Sequence, residues 1–168
     1  FDNRNIIVLT NAGYADIVRE NLPEVPIGNV IAEPAVRDTA GAIGLAAAIL
    51  TKFDANATMT VVTADQLIEP DEVFQSVVKD SLTFLKANPE ALITYGIKPT
   101  YPATQLGYVK LGQARYVAGC DNHVYAVEAF KEKPPKETAQ EYLDSGQYFW
   151  NSGMFVWKAK TILEKIFK

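Results

Sequence analysis

The residue types best suited to chemistry fall in a few short stretches. Glu132-Lys133-Pro134 ends an apolar run, and Trp150-Asn151-Ser152-Gly153 opens another. A carboxylate accepts from hydroxyls, an ammonium is a point charge for phosphate, and an amide both donates and accepts. Glycine lets a backbone approach a ligand closely, and Gly107, in Leu106-Gly107-Tyr108, has the same potential. Asp65 sits just past the apolar run TMTVVT. A carboxylate beyond a strand end can hold Mg2+, a hard cation that takes oxygen ligands and is often shared with substrate phosphates. Arg37-Asp38-Thr39 stands where a helix begins, and free N–H groups and the helix dipole favour anions there. Each stretch also has a plain structural reading. Asp65 suits a turn or N-cap, Asp38 or Thr39 an ordinary N-cap beside an exposed arginine, Glu132-Lys133 a charged loop stopped by proline, and Trp150–Gly153 a turn. Taken singly, spacing favours the plain readings.

The elements that must position these groups alternate. Asn5–Thr10 and Thr58–Thr63 read as fully buried strands, because their apolar runs do not alternate. Helices are expected over 14–22, from Asp38 or Thr39 to about Lys52, and from Glu69-Pro70 to about Ala87. The second of these is small and apolar on nearly every side, which predicts burial against a sheet. Val73, Val77, Leu82 and Leu85 form the predicted stripe of the third. Further strands are expected at 30–32, 91–97, 108–111, 124–130 and 154–157, with helices at 136–145 and from Ala159. The first half alternates strand and helix, which argues a parallel sheet with helices on both faces. The second half has more strands per helix, which argues an antiparallel or mixed element, so an α/β domain with a mainly parallel, mixed sheet is expected. A single domain over 1–168 is the simplest reading.

Composition narrows the class. The chain has 168 residues, 48% apolar and 21% charged, with a net charge of −4. There is no basic footprint for nucleic acid and no run of about 18 apolar residues to cross a membrane. Cys120 is the single cysteine and His123 the single histidine. An intramolecular disulfide is ruled out, a reducing, cytoplasmic setting is expected, and triad or multi-histidine metal chemistry is hard to build.

Together the stretches are more telling than singly. Glu33-Pro34-Ala35-Val36-Arg37-Asp38-Thr39-Ala40, Thr63-Ala64-Asp65, Thr94-Tyr95-Gly96-Ile97-Lys98-Pro99-Thr100, Leu106-Gly107-Tyr108-Val109, Phe130-Lys131-Glu132-Lys133-Pro134 and Tyr148-Phe149-Trp150-Asn151-Ser152-Gly153-Met154-Phe155 occur in order over nearly the whole chain. The chain resembles the mannose-1-phosphate guanylyltransferase family of sugar-nucleotide pyrophosphorylases. The resemblance implies a Rossmann-like three-layer nucleotidyltransferase fold, with GTP and mannose 1-phosphate as substrates and GDP-mannose and pyrophosphate as products. It implies that Asp65 holds Mg2+ and serves catalysis. It puts Arg37, Asp38 and Thr39 near the nucleotide, and Gly107, Glu132, Lys133, Asn151 and Ser152 around the sugar phosphate. Another hexose 1-phosphate or nucleotide, or a noncatalytic sugar-nucleotide-binding module, is the alternative.

Three positions depart from the family pattern. Asp38 replaces a usual asparagine, Gln66 a frequent histidine and Leu106 a common aromatic. The family's N-terminal strand and glycine-rich triphosphate loop have no counterpart here, and its second metal-site aspartate would lie beyond Lys168. The chain is therefore expected to be an internal fragment, inactive alone. Strand edges left open by a missing central strand point to self-association as a homo-oligomer.

Overall fold

A computed structural model describes residues 2–35 and 38–168. In chain order the elements are β1 (Val8–Asn11), α1 (Ala15–Asn21), β2 (Val30–Glu33), α2 (Asp38–Phe53), β3 (Thr58–Val61), α3 (Asp71–Ala87) and β4 (Ile93–Ile97). Then come β5 (Tyr108–Arg115), β6 (Val124–Lys131), α4 (Lys136–Ser145), β7 (Tyr148–Lys158) and α5 (Ala159–Ile166). They form two compact units, Phe1–Ala57 with Ala159–Lys168, and Thr58–Lys158. No helix among the described residues is long and apolar enough to cross a membrane.

In the first unit β1 and β2 pair in parallel, Val8 opposite Val30 through Asn11 opposite Glu33, with α1 as the crossover. This is the parallel unit that strand–helix alternation predicts. The strand expected at Asn5–Thr10 starts later, after a 3-10 turn at Asn3–Asn5, and it is half-buried rather than buried. Among the described residues β1 has only β2 as a ladder partner, so part of it stays open. The small residues of α2 admit α5, and a methyl at Gly44 would stand 3.8 Å from Ile166 Cδ1. Only Ile43, Ala46 and Ala47 of α2, the helix expected to be buried against a sheet, are fully buried, and they share a single face.

The second unit overturns the expectation of a mainly parallel sheet. Its five strands are paired antiparallel throughout. The cause is β7, which spans 11 residues rather than the short run expected at 154–157. β3 and β4 both run antiparallel to β7, so they share one direction, as a β3–α3–β4 crossover should. But β7 separates them, pairing with β3 over Phe155–Lys158 and with β4 over Trp150–Val156. Alternation along the chain reports which strands share a direction. It does not report which strand lies between them. The Trp150–Gly153 stretch, readable as a turn, lies inside β7.

On α3 the buried positions are Val78, Ser81 and Leu85, with Asp80 beside them, so the stripe is rotated from the predicted one and Val73 is exposed. Two partners explain the polar member, since Ser81 Oγ donates to Val77 O at 2.7 Å and shares a hydrogen bond with Tyr95 Oη at 3.1 Å. Asp80, only 4% exposed, anchors the loop before β6. Its Oδ2 accepts from Asp121 N at 2.9 Å, Asn122 N at 2.8 Å and Asn122 Nδ2 at 2.8 Å. Burial opposes its charge, yet these donations, with Lys79 nearby, outweigh burial and hold the carboxyl below the usual aspartate range. Cys120 lies in the same loop, its Sγ 3.5 Å from Asp80 O, a structural setting. The helix expected at Lys136–Ser145 has those bounds and ends at Gly146, whose φ of 65° forms the C-cap.

Candidate functional site

Three neighbouring strands build the site in the second unit. Gly107 immediately precedes β5, Glu132 immediately follows β6, and Asn151 lies in β7. β5 sits between the other two, with Tyr108 opposite Lys131 on one side and Trp150 on the other. That register brings together residues widely separated in sequence. Asn151 N donates to Gly107 O at 2.8 Å. A Cβ on Gly107 would stand 3.0 Å from Glu132 Oε2 and 3.3 Å from Phe130 Cζ. The missing side chain is therefore what lets the Glu132 carboxylate lie over this backbone.

Lys133 adds a cation, its Nζ 3.5 Å from Glu132 Oε1, with both side chains more than half exposed. An ion pair so solvated contributes little to stability, so both groups are free to meet a ligand. Lys133 has φ 40°, in the left-handed region that non-glycine residues rarely adopt. The turn out of β6 thus holds it against local preference. Beside Gly107, Tyr101–Leu106 line a concavity of about 260 Å³, and the Tyr101 ring meets Trp150 edge-on at 4.9 Å.

Asn151 and Ser152 have different surroundings. Consecutive strand residues point to opposite faces. Asn151 is half-buried with its Oδ1 accepting from Thr94 Oγ1 at 2.8 Å. Ser152 is 3% exposed, and its Oγ accepts from Met154 N at 3.1 Å. The local cause is a bulge. β4 takes two steps from Thr94 to Gly96 while β7 takes four from Phe155 to Asn151. Gly153, at φ 73°, turns the chain inside it. Ser152 holds this bulge from within.

Asp65 follows β3 in an exposed turn. The next residue ties that turn to the bulge, since Gln66 Nε2 donates to Ser152 O at 2.7 Å. Thr63 packs against Gly153 from the same segment, and its Oγ1 is buried without a hydrogen-bond partner among the described residues. Sequence reasoning included Thr94 in a family stretch without giving it a role, and treated Gln66 only as a departure from a pattern. The available signal was polarity next to buried strand ends, and it did not say what these side chains would meet.

No cluster of three or more His, Cys, Asp or Glu residues suited to a metal occurs among the described residues. A single exposed carboxylate at a strand end does fit the donor set of Mg2+, which keeps waters and takes its other oxygens from phosphate.

Asp38 and Thr39 belong to the first unit, both exposed at the start of α2. Asp38 has φ 54°, so its own backbone is outside the helical region. Arg37 lies outside the described residues.

Residues 2–166 match the model of a family described as nucleotidyl transferase. The chain belongs to the nucleotidyl transferase family. Among curated nucleotidyl transferase relatives, it is 42% identical over 163 residues to a mannose-1-phosphate guanylyltransferase of Salmonella montevideo, covering 95% of this chain and 34% of that protein. It is 40% identical over 167 residues to mannose-1-phosphate guanylyltransferase ManC of Salmonella typhimurium, covering 96% and 34%. A crystal structure from Thermus thermophilus, described as a mannose-1-phosphate geranyltransferase, aligns with a TM-score of 0.77 at 31% identity, covering 94% of this chain and 43% of that one. The chain thus spans about a third of the length of these curated relatives.

Proposed function

We propose that this chain is part of an enzyme that transfers GMP from GTP to mannose 1-phosphate, giving GDP-mannose and pyrophosphate. The observation that carries the reading is the junction of Gly107, Glu132 and Asn151, drawn from three adjacent strands and flanked by Lys133. A carboxylate, an amide and a bare backbone suit hydroxyls on one side of a hexose, and an ammonium suits its phosphate. The relatives' names supply mannose 1-phosphate and the guanylyl group, and GTP is the guanylyl donor that this reading takes. One domain over 1–168 is part of the reading, supported by a family match that runs from residue 2 to residue 166. A cytoplasmic setting accords with the single cysteine.

In the proposed reaction a phosphate oxygen of mannose 1-phosphate attacks the α-phosphorus of GTP. A new P–O bond forms as the bond to the β-phosphate oxygen breaks, and pyrophosphate leaves. Glu132 accepts from sugar hydroxyls, Asn151 hydrogen-bonds another, and Lys133 neutralises the attacking phosphate. Gly107 lets the ring lie against backbone. Ser152 serves by keeping β7 in shape. Arg37, Asp38 and Thr39 are assigned to the nucleotide. Mg2+ on Asp65 would neutralise charge on the transferring phosphoryl group.

Calorimetric titration of the chain with GDP-mannose, and with UDP-, ADP- and dTDP-sugars, tests this with and without Mg2+. GDP-mannose should bind most tightly, with Mg2+ strengthening it, and Asp65→Asn should abolish the Mg2+ effect. Preference for another base or hexose, or a Mg2+ effect that survives Asp65→Asn, would reject the corresponding part of the proposal.

A further inference from the structure

The bulge between β4 and β7 makes a connection that a regular ladder would not. Thr94 is paired through its Cα with Phe155, yet its hydroxyl reaches Asn151 Oδ1 at 2.8 Å and stands 3.0 Å from Met154 O. A threonine hydroxyl carries one proton and can donate to only one acceptor at a time. The shorter contact is to the amide. One lone pair of Asn151 Oδ1 is thereby used, which fixes that end of the amide toward Thr94, and Asn151 N is used on Gly107 O. The side chain's donor end, Nδ2, is left with two protons for a ligand.

We infer that Thr94 is a positioning residue, whose hydroxyl holds the Asn151 amide so that its Nδ2 end, a donor, is presented beside Gly107 and Glu132. The two ligand-facing groups are then complementary. Glu132 only accepts and Asn151 Nδ2 donates, so together they recognise adjacent hydroxyls by opposite polarity. This rests on the sugar-phosphate reading of the site. The surrounding groups support the arrangement. Ser152 Oγ accepts from Met154 N and Gln66 Nε2 donates to Ser152 O, so the bulge that sets the Thr94–Asn151 distance is itself held at other points.

The test combines NMR relaxation of the Asn151 side-chain amide with calorimetry using mannose 1-phosphate and GDP-mannose. In the wild-type chain the amide should be as ordered as the backbone. Thr94→Val should make it mobile and weaken ligand binding roughly tenfold, about the worth of one well-made hydrogen bond. Thr94→Ser should restore both. Asn151→Asp should still accept from Thr94 and keep its thermal midpoint, while losing the ligand. An amide that stays ordered in Thr94→Val, no rescue by serine, or a lowered midpoint in Asn151→Asp would each overturn the inference. If the wild-type chain binds neither ligand, the sugar-phosphate reading fails, while the amide order in Thr94→Val still decides whether Thr94 positions Asn151.

Discussion

Replacing Gly107 by alanine separates recognition from folding at this site. Gly107 has no positive φ, so alanine is opposed only by contact. The added methyl would stand 3.0 Å from Glu132 Oε2, and 3.3 and 3.4 Å from Phe130 Cζ and Cε1. Something must give by a few tenths of an ångström. Glu132 is 61% exposed along its side chain and Phe130 is 51% exposed, so the carboxylate is the part that swings away. The folding cost should be below about 1 kcal/mol, as for changes near the surface. The ligand loses a hydrogen bond to a charged acceptor, worth roughly 1.5–3 kcal/mol, which corresponds to about tenfold to hundredfold in dissociation constant. Calorimetry with mannose 1-phosphate measures the affinity and urea unfolding the stability. Unchanged affinity would refute the role of Glu132 as the hydroxyl acceptor beside Gly107. Weakened binding matched by an equal loss of folding stability would refute the claim that the carboxylate moves alone.

Two further perturbations address the framework. Asp80→Ala removes the acceptor of the Asp121 and Asn122 donations and should cost about 3 kcal/mol in urea unfolding, the scale for hydrogen bonds to a charged group. Because its folded-state pKa is lowered, the wild-type contribution should be complete above about pH 4 and drain away as pH falls through the lowered folded-state value. Asp80→Ala should flatten that acid limb, and an unchanged limb would show that other groups cause it. Gly153→Ala should cost about 1–2 kcal/mol from its φ of 73° alone, since the new methyl would meet Thr63 Cγ2 at an ordinary 3.6 Å. A cost near zero by thermal melting would mean that the bulge relaxes.

Much of the local structure follows from the sequence by itself. Short-range rules suffice for α4, where prolines precede Lys136 and glycine follows Ser145. They also suffice to say that Thr58–Val61 and Val124–Lys131 are extended. The grouping of Glu132-Lys133 with Asn151 as polar clusters flanking a helix was legible for the same reason, since each cluster is contiguous. Only the tertiary structure decided that β7 lies between β3 and β4, making the sheet antiparallel, because strand order is set by packing among distant segments rather than by any one of them. It also separated the roles of Asn151 and Ser152, adjacent in sequence but turned to opposite sides of a strand. The Thr94–Asn151 and Gln66–Ser152 bonds join residues 57 and 86 positions apart. No local preference of threonine or glutamine announces such partners. They exist because a bulge in the central strand, opened at Gly153, brings them within hydrogen-bonding distance.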